Sequence, residues 1–370
     1  MQQQKSLYET IYGSLVGLAI GDALGAPVEG WESQDIETRF GSVKTFLPYE
    51  KAPDYHYAFS QKPGSYTDDA RMMKFLCEAC FVAKGPPLAG DIARVLLQRY
   101  FTTESILEKG FLEEYCYKAL YGTSKEVFGG QPTNGGIMGI APLGLITPCD
   151  PDSAYANTFS ALFFVTGYAR NATALAAAMI SAACIPNISI EQVVSDSLTA
   201  AERFRSHQEG SLWKDWHLYA HVALKSEHLV QKAWELGTRH HDCKSIQKDL
   251  HAAVVQEFFA DAAESLAIAV GMLACTDGNP YEAIVGAVGF GRDNDSSAAI
   301  TGAIGGALKG VQAFPKSLLS QSEKVNPTPT CAELASKLCT LVSHSIDKQK
   351  SIMQKIDNFA CWQESRHESL

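Results

Sequence analysis

Residues 13–30 read GSLVGLAIGDALGAPVEG. Gly13, Gly17, Gly21 and Gly25 recur every four residues, and on a helix that spacing lines them along one ridge. Glycine costs a helix interior roughly 1 kcal/mol relative to alanine, so four in one segment require a packing reason: a neighbouring backbone that comes close. A second stretch repeats the device, with Gly302, Gly306 and Gly310 again four apart. Both ridges predict tight helix packing. Asp22 lies inside the first one and reads as a cap or pairing residue. Glu29, after Pro27, falls at its exit, where a carboxylate can face a cleft.

Two short acidic signatures accompany the ridges. Gly64-Ser65-Tyr66-Thr67-Asp68-Asp69 and Gly291-Arg292-Asp293-Asn294-Asp295-Ser296-Ser297 each place two carboxylates and a hydroxyl at the start of an apolar, helix-like stretch. These oxygens are hard ligands, suited to an ion of the magnesium or calcium class. Acids at a helix start are also ordinary N-caps, favoured by free N–H groups and the helix dipole. Four Asp carboxylates brought together by folding would need cations between them, so the pair of motifs predicts a metal site of more than one ion.

The remainder reads as one all-α domain. Helical patterns begin after Thr67, near Gly90, near Ser105, after Pro151, after Asn171, after Ser189, near Asp261, after Pro280 and after Ser296, and strand-like alternation is scarce. Residues 31–66, rich in Pro, Tyr and Phe, are predicted to form a loop leading into Thr67, a lid or cleft wall. Residues 206–258 are more polar; the run His240-His241-Asp242-Cys243 reads as a solvated helix end, since adjacent residues rarely converge on one ion. The expected division is a domain over 1–345, followed by a C-terminal helix and polar tail over 346–370.

Composition narrows the function classes. A 370-residue chain with 46% hydrophobic residues can bury a large core. Its formal net charge of −10 excludes the basic face of a nucleic-acid binder. Ten cysteines scattered through apolar segments read as reduced core thiols, Cys77-Glu78-Ala79-Cys80 included. The start lacks the charged and apolar regions of a signal peptide, and the apolar stretch near 158–185 is broken by Arg170 and Asn171. The expectation is a cytoplasmic protein without a membrane partner. A secretion signal delivering a bacterial effector to a host cytosol is the alternative reading of the polar tail.

The motifs, taken in order, resemble those of the ADP-ribosylglycohydrolases, a family of compact single-domain orthogonal helical bundles. The corresponding segments are Gly21-Asp22 to Glu29, Thr67-Asp68-Asp69, Asn134-Gly135-Gly136-Ile137-Met138-Gly139-Ile140-Ala141-Pro142 and Gly291 to Ser297. The resemblance implies two magnesium ions, with manganese as the alternative, held by Thr67, Asp68, Asp69, Asp293, Asp295 and Ser296. It implies Glu29, Asp68, Asp69 and Asp295 as catalytic carboxylates. ADP-ribose would contact Asn134, Gly135 and Met138, with the Gly-rich loop around Phe128, Gly129 and Gly130 wrapping the diphosphate. The implied reaction is removal of ADP-ribose from modified protein side chains, most simply the N-glycosidic bond to arginine, with ADP-ribose as product. Serine-linked or free ADP-ribose derivatives and an inactive, crystallin-like relative are the alternatives. The departures are Gly139 where the family carries Arg, Arg292 for the second Gly, Asn294 and Ser296 for Thr, and the absence of a Thr-His pair near Tyr168-Ala169.

Overall fold

The computed structural model describes residues 5–49, 62–121, 132–165, 167–208 and 217–367. Among them the chain forms sixteen α-helices and no strand, an all-α fold as the sequence predicts. The axis is α1 (Leu7–Gly25), which starts at a capping box between Ser6 and Glu9. Nearly every residue from Thr10 onward is buried, the mark of a helix enclosed on all sides.

The two glycine ridges meet each other. α14 (Asn294–Lys309) lies antiparallel to α1. A Cβ added at Gly17 would sit 2.3 Å from the Gly302 carbonyl oxygen, one at Gly306 2.1 Å from that of Gly13, and one at Gly21 2.2 Å from that of Ala298. No side chain fits at such distances. Ser14 Oγ adds a hydrogen bond to the Ala303 carbonyl at 2.9 Å. The register ends with Gly25 against the backbone of Asp295. Close packing along the whole pair thus fixes where the second acidic motif begins relative to the end of α1.

α3 (Asp68–Ala83) and α16 (Cys331–His367) pack on α1, while α8 (Gly167–Ala183), α12 (Ala262–Cys275) and α13 (Pro280–Phe290) pack on α14. Most expected helix starts hold to within a residue or two. α8 begins earlier than expected because Arg170 and Asn171 are tolerated inside it: Asn171 is bonded to Tyr155 and Arg170 lies over the Phe159 ring. Three further helices occupy stretches read as loop or polar segment. α2 (Ser33–Phe40) falls within 31–66, α10 (His217–Gly237) and α11 (Cys243–Val254) within 206–258. In α2 only Ile36 is buried, which leaves too little apolar periodicity to read.

Among the described residues one helical span, Leu7–Val28, is long and apolar enough to cross a membrane, and 89% of its most apolar window is buried inside the fold. That places the membrane-like stretch in the core axis rather than near 158–185. α16 is continuous through residue 345; its buried side chains end at Val342, and Ile352, Met353, Ile356 and Phe359 are exposed. We propose the division at 345 on that change.

Candidate metal centre

The first acidic loop is fixed by a carboxylate from another helix. Asp22, wholly buried in α1, accepts hydrogen bonds from Thr67 N at 2.9 and 3.0 Å, Thr67 Oγ1 at 2.9 Å and Ala70 N at 3.0 Å. It therefore caps α3 in place of the Thr67 side chain, the capping reading of the sequence. Asp68 and Asp69 remain free for other work. Just upstream, Asn326 fixes the approach by accepting from Tyr66 N at 3.1 Å and donating to the Gly64 carbonyl at 2.8 Å.

The second loop is held by neighbours distant in sequence. α13 ends at Gly291, whose φ of 81° and close approach to the Trp31 carbonyl exclude a side chain. Gly30 N donates to the Arg292 carbonyl at 2.9 Å and Arg292 N to the Trp31 carbonyl at 3.3 Å, which staples the Glu29 turn to this loop. Asn134 Nδ2 donates to Asp293 Oδ2 at 2.9 Å and to Ser265 Oγ at 3.1 Å. Asn134 is itself placed by its backbone N–H, which donates to the Ala260 carbonyl at 2.9 Å.

Several departures from the family pattern find physical reasons here. Arg292 takes a left-handed conformation with φ of 63°. Its guanidinium forms a two-pronged pair with Glu264 at 2.8 and 3.0 Å and reaches the Gln256 and Phe258 carbonyls. Asn294 turns back to the Val288 and Val28 carbonyls, at 2.9 and 3.3 Å, just before Glu29. Gly139 lies so close to α3 that a Cβ would be 2.6 Å from Met73 N, leaving no room for an arginine.

The loops converge on one acidic centre. Carboxylate oxygens of Glu29, Asp293 and Asp295 lie within 4.8 Å of one another, with the two aspartates buried. Ser296 and Asp293 of the second loop act on buried Asp69 of the first, so both loops share the cluster. Burial, reinforced by neighbouring acids, pushes the Asp68 carboxyl up to about 7 and those of Asp69 and Asp295 well above the usual carboxylate range. Burial also lifts Asp22 to about 7, partly offset by its hydrogen bonds.

The donor set fits hard divalent cations. Asp69 Oδ1 is buried without a hydrogen-bond partner, and the adjacent guanidinium, Arg292, is spent on Glu264. Among the described residues no Lys, Arg or His forms an ion pair with Asp69, Asp293 or Asp295. Oxygen-only ligands with uncompensated charge suit magnesium or manganese. Glu29, read from sequence as an acid–base group, is here placed as a ligand candidate as well.

Tyr49 is a neighbour that the sequence does not single out. Its phenol donates to the Ser65 carbonyl at 3.2 Å, and its pKa is raised by burial and by Asp22, Asp295 and Glu29. The signal available was its place in the aromatic stretch leading to Thr67. Of the expected ADP-ribose contacts, Met138 is buried and Gly135 packs against the Tyr115 hydroxyl. Phe128, Gly129 and Gly130 lie outside the described residues. Where the Thr-His pair is missing, the Tyr168 hydroxyl donates to Asp261, which also meets Lys225. Cys77 and Cys80 are buried thiols raised by desolvation, and Asp242 caps α11, the solvated helix end expected there.

The model of the ADP-ribosylglycohydrolase family matches residues 3–348. The chain belongs to the ADP-ribosylglycohydrolase family. Two relatives are the uncharacterized protein YegU of Escherichia coli (strain K12), 26% identical over 86% of this chain and 93% of its own length, and an uncharacterized protein of Archaeoglobus fulgidus, 28% identical over 90% and 97%. A solved structure, an ADP-ribosylglycohydrolase-related protein complex, shares the fold with a TM-score of 0.56 at 21% identity, covering 91% of this chain and 98% of its own. The family's activity is hydrolysis of glycosidic bonds in ADP-ribosylated substrates, with release of ADP-ribose.

Proposed function

We propose that this protein is a divalent-metal-dependent ADP-ribosylhydrolase that cleaves the N-glycosidic bond between ADP-ribose and a protein arginine. The observation that carries the reading is the convergence of Glu29, Asp293 and Asp295 within 4.8 Å, next to Asp69 with its unpartnered oxygen, in a chain of this family. Thr67, Asp68, Asp69, Asp293, Asp295 and Ser296 would hold two magnesium ions, with manganese as a substitute. When bound, the ions polarise ribose hydroxyls and the attacking water.

The chain's own groups do the rest. Asp22 and Asn134 hold the two ligand loops still, so the site meets its substrate already organised. Glu29, partly exposed at the end of the first helix, takes the proton of the water that adds to the anomeric carbon. The bond from that carbon to the guanidinium nitrogen breaks, and the nitrogen leaves protonated, with Asp68, Asp69 and Asp295 as the remaining acid–base groups. Gly135, Met138 and the segment that includes Phe128, Gly129 and Gly130 cradle ADP-ribose, with Asn134 at its edge. Uncompensated buried acid favours this reading over an inactive structural relative, because such charge destabilises a fold that does not use it.

The test is incubation with arginine-linked and serine-linked ADP-ribosyl proteins, with magnesium or with EDTA, measuring released ADP-ribose. Release from the arginine substrate with magnesium alone is expected. Full release in EDTA contradicts the metal requirement, and release only from the serine substrate contradicts the linkage.

A further inference from the structure

Where α11 and α12 pack together and against α13, two thiols meet. Cys243 is the first residue of α11 and Cys275 the last of α12. Their sulfurs lie 3.7 Å apart. Cys243 is partly exposed and Cys275 buried. The contact is built into the packing: Gly286 of α13 leaves the space that Cys243 fills, since a Cβ there would sit 2.5 Å from both Cβ and Sγ of Cys243. Closure to a disulfide bond of about 2.05 Å requires the sulfurs to approach by roughly 1.7 Å, within reach of side-chain rotation.

We propose that Cys243 and Cys275 are a site of reversible oxidation to an intramolecular disulfide, with a hydroperoxide as oxidant. The Cys243 sulfur attacks one peroxide oxygen, the O–O bond breaks, and for hydrogen peroxide one water leaves, giving a sulfenic acid. The Cys275 sulfur then attacks the Cys243 sulfur; the S–O bond breaks and the hydroxyl leaves as a second water with the Cys275 proton. Two thiols and one peroxide give one disulfide and two waters. A dithiol reductant returns both thiols.

The bond would close a covalent loop around the supports of the second acidic motif. Gln256, Phe258 and Glu264, which hold Arg292, lie between the two cysteines, as do Ala260 and Ser265, which hold Asn134. Cross-linking limits the unfolded freedom of that segment, so its local opening becomes rarer. The inference does not depend on which glycosidic bond the enzyme cleaves.

The experiment treats the full chain with limiting hydrogen peroxide, blocks remaining thiols by alkylation, digests with trypsin and reads masses. The expected product joins residues 240–244 to residues 249–292 with loss of two hydrogens, and dithiothreitol splits it. In parallel, hydrogen exchange at 255–264 should slow in the oxidised protein. In Cys275→Ala, Cys243 should accumulate as a sulfenic acid captured by dimedone; should that variant fail to fold, Cys275→Ser replaces it with the same capture at Cys243. Alkylated Cys243 and Cys275 alongside oxidised Cys149 or Cys339 would overturn the proposal, and so would Cys243 recovered as sulfinic acid without the linked peptide.

Discussion

The two acidic loops feed one centre but are built in opposite ways. Thr67-Asp68-Asp69 is capped mainly by one buried residue, Asp22, with Asn326 fixing only the backbone just upstream. Asp293-Asn294-Asp295 is held from several sides, by Asn134, Arg292, the Val28 and Val288 carbonyls and the backbone of Gly25. The difference teaches that an aspartate beside an acidic cluster can serve as scaffold, its oxygens engaged by a neighbouring loop. It also implies that one loop tolerates the loss of a support and the other does not.

The largest effect should come from breaking what both loops share. Gly302→Leu places a side chain where a Cβ is already 2.0 Å from the Gly17 carbonyl oxygen. That oxygen belongs to a packed helix backbone and cannot move aside, so the cost is about 3 kcal/mol or more. Thermal unfolding should show a large fall in Tm or no folded protein.

Asp22→Asn tests the single-support loop. The amide presents a donor to the N–H groups of Thr67 and Ala70, which loses hydrogen bonds and leaves buried donors unpaired, for about 2–3 kcal/mol. Tm should fall, and manganese affinity should fall with it although Asp22 is not a ligand. Unchanged affinity would show that the Thr67 loop holds its shape without Asp22.

Arg292→Gly tests the braced loop by installing the family's residue. Glycine relieves the left-handed backbone at 292 by roughly 1 kcal/mol. Against that, buried Glu264 loses its two-pronged partner, a loss of about 3 kcal/mol once the partial exposure of Arg292 is allowed for. The net destabilisation should be about 1–2 kcal/mol by chemical denaturation, with manganese affinity changed less than in Asp22→Asn because Asn134 and Asn294 remain.

The remaining prediction is a drift with pH, which no substitution is needed to observe. Asp22 and Asp68 bind protons up to about 7 in the folded protein, by burial, against roughly 3.9 when unfolded. Between those values the folded state holds more protons than the unfolded state, so stability falls as pH rises. In EDTA, Tm should therefore decline by a few degrees from pH 5 to pH 7.5. Saturating magnesium should flatten the decline by taking the protons' place. A Tm in EDTA that rises over this range would contradict the crowding of carboxylates.

Much of this was legible because it rests on spacing. Glycines four apart announce a ridge whatever they pack against, and both ridges are where the sequence places them. The same holds for the two acidic motifs and for the resemblance in order that links them. What the sequence does not show is partnership. Nothing in Gly17 names Gly302, and nothing in Asn134 names Asp293 across more than 150 residues. Asp22 reads as a cap or a pairing residue for a related reason: a carboxylate in a helix looks alike in both roles, and only the donors around it decide. α2 escaped because it is short and buries only Ile36; α11 does carry an apolar period, Ile246, Leu250 and Val254 four apart, but inside a stretch whose overall composition is polar. Tyr49 escaped because it reaches the centre from a long connection with no regular spacing.

We propose that two loops, from opposite parts of the chain, make one cation centre. Calorimetric titration of manganese into the wild-type protein, Asp69→Asn and Asp295→Asn tests it directly. The variants remove one charge from each loop while preserving size. Loss of at least about 10-fold in affinity is expected in both, since breaking either set of ligands removes more than 1.4 kcal/mol from a shared site. Wild-type affinity in either variant would contradict a shared centre and assign the metal to one loop alone.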